Sequence, residues 1–117
     1  MNQYQINDAL LKHKLWLECD EDGVKLDFHG EDLRGADLHW AELREANLYG
    51  TNLYESNLEG ADLSYADLQH ANLCGARIHN ADFRCANMRG AKMYQRTMDE
   101  AALTKEQRDS IVVIEKY

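Results

Sequence analysis

The sequence predicts an all-β solenoid, a coil of short extended segments wound around an apolar axis. An apolar residue recurs at every fifth position from Phe28 to Met98, at fifteen positions without a break. Most of these centres follow a small residue by two positions and Asp or Asn by one. Residues five apart are rotated by about 140° on an α-helix, and an odd spacing alternates between the faces of a strand. The centres therefore all point inward only if the chain turns once every five residues.

Glycine supports this interpretation at the corners between segments. It stands two positions after six of the centres: Gly30, Gly35, Gly50, Gly60, Gly75 and Gly90. Glycine adopts backbone conformations that other residues avoid, so it eases a tight corner. Successive coils are expected to stack at about the 4.8 Å spacing of paired strands.

The repeated motif resembles that of the pentapeptide-repeat family, A-(D/N)-L-x-x, as in Ala46, Asn47 and Leu48. This resemblance implies a right-handed quadrilateral β-helix with four pentapeptides per coil and about four coils. The predicted domains are an N-terminal capping helix and turn at 1–25, the β-helix at 26–103 and a C-terminal cap at 104–117. Departures from the motif lie near its two ends: Leu26, Glu31, Arg77, Lys92 and Arg96 at small or polar positions, and Met88, Met93 and Met98 at the centres.

The flanks are predicted to cover the open ends of the coil, because bare strand edges invite association. A helix is expected over residues 4–18, with Asn7 or Asp8 as its N-cap. Its apolar residues at mostly helical spacing are Ile6, Leu10, Leu11, Leu15 and Leu17. The stretch "CDEDG" at 19–23 then predicts a polar turn.

At the other end, Thr104 and Gln107 fit a capping box and predict the start of a short helix. The run that follows is the longest β-branched apolar run of the chain: Ile111, Val112, Val113 and Ile114. It either covers the last coil or pairs with a second molecule to form a homodimer.

Composition excludes several classes of function. The formal charge of −8 argues against direct binding of nucleic acid. Neither a membrane span nor a signal peptide is predicted. Three irregularly spaced cysteines suggest reduced thiols and a cytoplasmic protein. No catalytic, phosphate-binding or paired-cysteine motif is present, so we expect no enzyme activity, no cofactor and no metal.

One column of side chains has the composition of a metal site. Residues twenty apart should stack, which places His39, Glu59, His79 and Asp99 on one face. Side chains in a flat stack point outward in parallel instead of converging on one centre. We therefore expect a solvated ladder there.

Charge divides the predicted coil into unequal halves. Residues 26–67 carry ten acidic and two basic side chains, a net charge of −8, whereas residues 68–98 carry a net charge of +4. Duplex DNA carries about one charge per 1.7 Å, so two acidic coils match its linear charge density. The resemblance adds that family members which protect DNA gyrase from quinolones are understood to act as DNA mimics.

Outward aromatic residues in the acidic half complete the predicted site, because aromatics beside charge are typical of protein-binding surfaces. The predicted partner-binding residues are Asp37, Trp40, Glu42, Glu45, Tyr49, Tyr54, Glu55, Glu59, Asp62 and Tyr65. The partner is expected to be a protein with a basic DNA-binding groove. It could be a topoisomerase such as gyrase, or a defence nuclease such as a CRISPR effector if the chain comes from a phage. The alternative is a scaffold or adaptor without DNA mimicry.

Overall fold

The computed structural model describes residues 1–115, and the last two residues of the predicted C-terminal cap lie outside them. Its helices and strands are α1 Gln3–Leu17, β1 Lys92–Tyr94, α2 Gln95–Asp99, α3 Lys105–Ser110 and β2 Val112–Ile114. Between α1 and β1 the chain forms a series of single bridges and turns. None of the described helices is long and apolar enough to cross a membrane.

The bridges show that the chain is wound as a β-helix. Each joins residues twenty positions apart in parallel, from Asp27 with Asn47 to Asn72 with Lys92. Twenty residues hold four pentapeptides, so every coil has four walls. We number the walls by their central residues: wall 1 at Phe28, Leu48, Leu68 and Met88; wall 2 at Leu33, Leu53, Leu73 and Met93; wall 3 at Leu38, Leu58 and Ile78; wall 4 at Leu43, Leu63 and Phe83. The molecule is elongated, with principal extents of 44 × 27 × 22 Å.

The axis of the coil is apolar, as the five-residue period predicts. The central leucines of the middle coils are fully buried. Thr51 and Ser56, which take the small inward position in place of alanine, are fully buried as well. The Thr51 hydroxyl donates a hydrogen bond of 2.7 Å to the Phe28 carbonyl, which satisfies it inside the core.

Asp or Asn before each centre has a structural role that the sequence did not reveal. In each such residue Oδ1 accepts a hydrogen bond from the backbone N–H two residues on, at 2.9–3.2 Å. Asp and Asn alternate at this position because each offers the same oxygen. Most residues at this position therefore supply a hydrogen-bond acceptor, and the negative charge of aspartate is not needed for that bond.

The corner residues have a left-handed backbone. The six predicted glycines have φ between +64° and +70°, and the non-glycine residues at equivalent positions have φ near +60°. A non-glycine residue in this conformation costs about 1–2 kcal/mol. Trp40 and His70 are two such residues, and each lies over the glycine of the following coil, Gly60 or Gly90.

The N-terminal helix α1 contacts the first coil through fewer side chains than predicted. Its N-cap is Asn2, which forms a capping box with Gln5, so the prediction of Asn7 or Asp8 is wrong. Only Ile6 and His13 of α1 are buried, whereas Leu11 is 60% exposed. A helix end needs a side-chain acceptor at its first free N–H groups, and Asn2 provides it one turn earlier than the apolar spacing suggested.

Side chains of α1 also bind strand edges of the first coil. The Gln3 amide donates to the Asp37 carbonyl (2.8 Å) and accepts from the Asp37 N–H (3.1 Å), as a neighbouring strand would. His13 forms equivalent bonds with the carbonyl of Arg44 and the N–H of Leu26. The helix thus satisfies backbone groups that the first coil cannot pair by itself.

A short helix follows the last segment of wall 2. Wall 2 closes with β1, and the chain then enters α2, so Met98 is buried from a helix instead of from a fifteenth wall segment. Helix α2 thus lies within the predicted β-helix range of 26–103, and that domain boundary stays a prediction. The stretch QRTMD takes up a helix where Arg96 replaces the small inward residue, because a charged side chain cannot enter the apolar axis.

The C-terminal segment continues the coil spacing. Strand β2 pairs in parallel with β1, Lys92 opposite Val112, which preserves the interval of twenty residues. Thr104 and Gln107 form the predicted capping box at the start of α3. The Gln107 amide also donates to the carbonyls of Phe83 and Ala86, at 2.8 and 3.1 Å. The predicted apolar run thus pairs with the last strand of its own chain, and pairing with a second molecule stays a prediction.

Candidate protein-binding face

The structure distributes the ten predicted partner-binding residues over all four walls. Tyr49 lies on wall 1, whereas Tyr54 and Glu55 lie on wall 2 and at its corner with wall 3. The other seven lie on the adjacent walls 3 and 4 and their corners: Asp37, Trp40, Glu42, Glu45, Glu59, Asp62 and Tyr65. The acidic half of the chain is thus not one continuous surface.

Several acidic side chains on walls 1 to 3 have local hydrogen-bond or ion-pair partners. Asp27 pairs with His29 and Asp32 with Arg34, both at 2.7 Å, and Asp37 pairs with His39. Across two coils, Glu59 lies 3.8 Å from Arg77. Hydrogen bonds from the Arg34 side chain lower the pKa of Asp32 to about 2, and those from His29 lower the pKa of Asp27. These carboxylates are therefore already occupied.

Wall 4 carries a column of three carboxylates on its outer side. Glu42 is bridged to Asp62 and Asp62 to Asp82, so the column rises by about 4.8 Å per coil. Arg84 binds Asp82 at 2.7 Å and lowers its pKa. Asp62 accepts a hydrogen bond from the Ser64 hydroxyl at 2.6 Å. Within the described residues neither Glu42 nor Asp62 has an ion pair, so these two carboxylates of the column keep their negative charge.

The corner between walls 4 and 1 is the one corner of the coil without glycine. Glu45, Tyr65 and Cys85 occupy it with φ of +63°, +59° and +57°. Each would be less strained as glycine, and such strain concentrates at functional positions. The three side chains of this corner therefore incur a backbone cost that glycine would avoid.

Two exposed aromatic rings border wall 4 on opposite sides. Trp40 is 68% exposed at the corner with wall 3, and Tyr65 is 55% exposed at the corner with wall 1. The Arg44 guanidinium lies 5.4 Å from the centre of the Tyr65 ring. We call the set Trp40, Glu42, Glu45, Asp62 and Tyr65 the wall 4 face. It combines free carboxylates with exposed aromatic rings, as protein-binding surfaces do.

Tyr49 and Tyr54 have partners inside the molecule. The Tyr49 ring meets the His70 ring edge to face at 5.4 Å. Hydrogen bonds with Tyr94 and Glu55 raise the pKa of Tyr54 to about 12. Both tyrosines are also less exposed than Trp40 and Tyr65, so they are less available to a partner.

The predicted ladder of metal-ligand types does not come together as a site. His39, Glu59 and His79 follow one another on wall 3, but Asp99 is the last residue of α2. Residues 1–115 contain no group of three or more His, Cys, Asp or Glu that could hold a metal ion. A cleft of about 940 Å³ lies beside β2 and α2, and its lining mixes Arg77 and Arg96 with Glu100 and Glu115. This mixture has no recognisable catalytic arrangement.

Comparison with known proteins agrees with the repeat geometry. The family model described as pentapeptide repeats matches eight copies, over residues 26–60 and 56–95. No curated protein matches.

Solved structures of pentapeptide-repeat proteins are similar to this chain. Rfr23 from the cyanobacterium Cyanothece 51142 is 29% identical with a TM-score of 0.49, and the match covers 56% of this chain and 52% of Rfr23. The corresponding values for alr5209 from Nostoc PCC 7120 are 20% and 0.36, with 89% and 93% covered. HetL from Nostoc sp. strain PCC 7120, described as involved in the regulation of heterocyst differentiation, is 34% identical with a TM-score of 0.26, and 62% and 42% are covered. This chain thus spans about half of Rfr23 and less than half of HetL.

Proposed function

Because the chain belongs to the pentapeptide-repeat family, whose members are in general interaction and structural modules, we propose that it binds a protein partner through the wall 4 face. Membership also implies a right-handed quadrilateral β-helix, in agreement with bridges between residues twenty apart. The observation that carries the proposal is the set of unpaired carboxylates between the exposed rings of Trp40 and Tyr65. The complementary partner surface is basic, with apolar or cationic groups placed to contact those rings.

The rigidity of the coil supports a binding role. Every wall is fixed by backbone hydrogen bonds to the coils on either side, such as Leu43 N–H to the Asp62 carbonyl at 2.8 Å. The backbone that carries these side chains is already ordered before association, so its ordering costs little free energy on binding. A rigid face of this kind favours recognition of one preformed partner surface.

Charge substitutions test the proposal. We expect the double variant Glu42→Gln and Glu45→Gln to lose partners that the wild type captures from the host's proteins, because it removes two free carboxylates. The matched control is Glu21→Gln and Glu31→Gln, which removes the same charge from exposed positions away from wall 4. Capture that is equal for both double variants would contradict the proposal.

Aromatic substitutions test the two rings separately. Trp40→Asn and Tyr65→Asn keep a residue that tolerates the left-handed corner, as Asn80 does at φ +60°. We expect both to weaken capture, whereas Tyr4→Asn on the exposed surface of α1 should not. Unchanged capture by the Trp40 and Tyr65 variants would show that the two rings do not contribute to binding.

A more specific form of the proposal is DNA mimicry, with a topoisomerase or a defence nuclease as the target. Three coils of wall 4 rise by about 10 Å, over which duplex DNA carries roughly six charges. The wall 4 face offers three unpaired carboxylates over that length: Glu42, Glu45 and Asp62. Arg44 on the same wall offsets one of them, so the net charge is about a third of that of DNA, and we favour a protein-binding module without mimicry.

Competition distinguishes these two forms. A DNA mimic should be displaced from a purified topoisomerase by duplex DNA, and its binding should weaken as salt rises from about 50 to 200 mM. A scaffold or adaptor should bind its partner in the presence of DNA. If DNA displaces the Glu42→Gln and Glu45→Gln double variant from the topoisomerase in the same way as the wild type, the DNA-like surface lies on another wall.

A further inference from the structure

A buried histidine joins α1 to the first coil. The His13 side chain is fully buried, 2.8 Å from the Arg44 carbonyl through Nε2 and 2.9 Å from the Leu26 nitrogen through Nδ1. A backbone N–H can only donate, so Nδ1 of His13 must be the acceptor and carry no proton. Nε2 then carries the proton and donates a hydrogen bond to the Arg44 carbonyl. The geometry thus fixes one neutral tautomer.

A second proton on this ring would oppose the bond to Leu26. It would be added at Nδ1, where the Leu26 N–H already points, and two donors would then face each other. The ring is fully buried and stacked on Trp16 at 5.5 Å, so in this position a second N–H has no solvent to which it can donate. The protonated ring is therefore incompatible with the closed position of α1.

The surroundings add charges of both signs around His13. Burial is the largest influence and lowers the pKa of His13, whereas the hydrogen bond to the Arg44 carbonyl, the next largest influence, raises it. Lys25, whose Nζ lies 5.4 Å from the Trp16 ring, acts in the same direction as burial. Glu42 and Glu45 on the first coil favour the charged ring, but their effect is smaller than that of burial.

Other contacts also hold α1 on the coil. They include the Gln3 amide on the backbone of Asp37, the buried side chain of Ile6, and the side chains of Ala9 and Leu10, which pack against the core. A proton at Nδ1 opposes the bond to Leu26 directly, and detachment of the helix breaks the bond to Arg44 as well. The edges then uncovered are the Asp37 N–H and carbonyl on wall 3 and the Arg44 carbonyl on wall 4.

We propose that His13 makes α1 an acid-released cap of the first coil: a proton at Nδ1 breaks the bond to Leu26 and detaches the helix. The released state bears one proton more than the closed state and exposes strand edges at the N-terminal end. The wall segments of the middle coils stay folded, because none of their bonds involves α1. This inference does not depend on which surface binds a partner.

Hydrogen exchange measured against pH tests the proposal. One proton taken up on opening makes the opening equilibrium rise up to tenfold per pH unit below the ordinary histidine pKa of about 6.5. After correction for intrinsic exchange rates, the protection factors of α1 amides should fall by that factor between pH 6.5 and 5. Those of Leu53 and Leu58 in the middle of the coil should not change. Constant α1 protection from pH 7.5 to 5 would overturn the proposal.

A variant of the other four histidines provides the control. Replacing His29, His39, His70 and His79 by Gln should leave the pH response of α1 intact, and its disappearance in this variant would overturn the proposal. His13→Gln should abolish the response.

Nuclear magnetic resonance of the wild-type imidazole nitrogens gives a second readout that does not require the His13 variant to fold. It should show the Nε2–H tautomer and a His13 titration that coincides with the release of α1. A His13 ring that titrates while α1 stays protected would be fatal to the inference.

Discussion

Gly60→Ala tests whether the corner glycines serve only the backbone or also the side chain above them. A Cβ at Gly60 would lie 2.5 Å from Cε3 of Trp40, whereas a Cβ at Gly35 would have no atom within 4 Å. Both glycines have φ of +68°, so the left-handed strain of alanine is the same at the two sites. The pair of substitutions thus separates backbone strain from displacement of the indole.

The magnitude follows from the burial of Trp40. About a third of its surface is covered, and full burial of a tryptophan removes up to about 250 Å² from water. A third of that area, at about 25 cal/mol per Å², amounts to about 2 kcal/mol. Gly35→Ala is expected to cost about 1 kcal/mol, the left-handed strain less the reduced entropy of the unfolded chain. We expect the free energy of unfolding to fall by about 1–2 kcal/mol more for Gly60→Ala than for Gly35→Ala.

Urea unfolding followed by circular dichroism measures both values, provided that the m-values agree. The same two substitutions in a Trp40→Asn background complete a double-mutant cycle. In that background the additional cost of Gly60→Ala should vanish. Equal costs of the two substitutions in the wild type, or an additional cost that persists without the indole, would refute the packing explanation.

Three further predictions concern the turns, an ion pair and the C-terminal strand. Asn57→Asp should change the free energy of unfolding little and Asn57→Ala should lower it by about 1 kcal/mol in urea unfolding, because only alanine lacks the oxygen that accepts the turn N–H. The pKa of Asp32, about 2 beside Arg34, gives a stabilisation that is present above pH 3.8 and is lost as pH falls through 2. Arg34→Gln should return that pKa towards 3.8 in a carboxyl titration by nuclear magnetic resonance, and an unchanged value would exclude the ion pair as its cause. Val112 and Val113 are about half exposed, so sedimentation should detect a homodimer that Val112→Lys and Val113→Lys dissociate, whereas a wild-type monomer at every concentration would refute it.

The coil itself could be predicted from the sequence because one geometric condition determines it. Leucines spaced by five can share an axis only if the chain turns at every fifth residue, and Leu48 and Leu68 are indeed fully buried. The end of the coil could not be predicted in the same way. Met98 keeps both its spacing and its burial, but the backbone around it has become helical. Spacing alone does not distinguish a wall segment from a helix that buries the same residue.

Polar contacts at the ends also escaped prediction. His13 and Gln3 bind backbone groups of the first coil, and no apolar pattern indicates such bonds. Asn2 and Gln5 have the spacing of a capping box, whereas the apolar residues of α1 indicate a later start of the helix. Edge groups must find partners, and the residues that supply them follow from the three-dimensional course of the chain.

The candidate site was predicted in composition but not in arrangement. Exposed aromatics and acids were expected in residues 37–65, and the structure gathers seven of the ten on walls 3 and 4. The interval of twenty residues is enough to assign each of the ten residues to a wall, as it does for His39 and Glu59. The local partners of Asp32 and Asp37 could not be predicted in the same way, because these contacts depend on the side-chain rotamers of Arg34 and His39.

The interval of twenty residues continues from Lys92 to Val112. The length of the coil can therefore change without a change in the relative orientation of its two ends. Duplication of one complete coil would move the C-terminal helices farther along the axis without rotating them relative to α1. Duplication of a single pentapeptide would instead rotate everything after it by a quarter turn and carry Tyr65 away from Trp40. Gene duplications in multiples of sixty nucleotides therefore lengthen the coil and keep every exposed patch on the same side of it. Duplications of any other length move the patches to different sides.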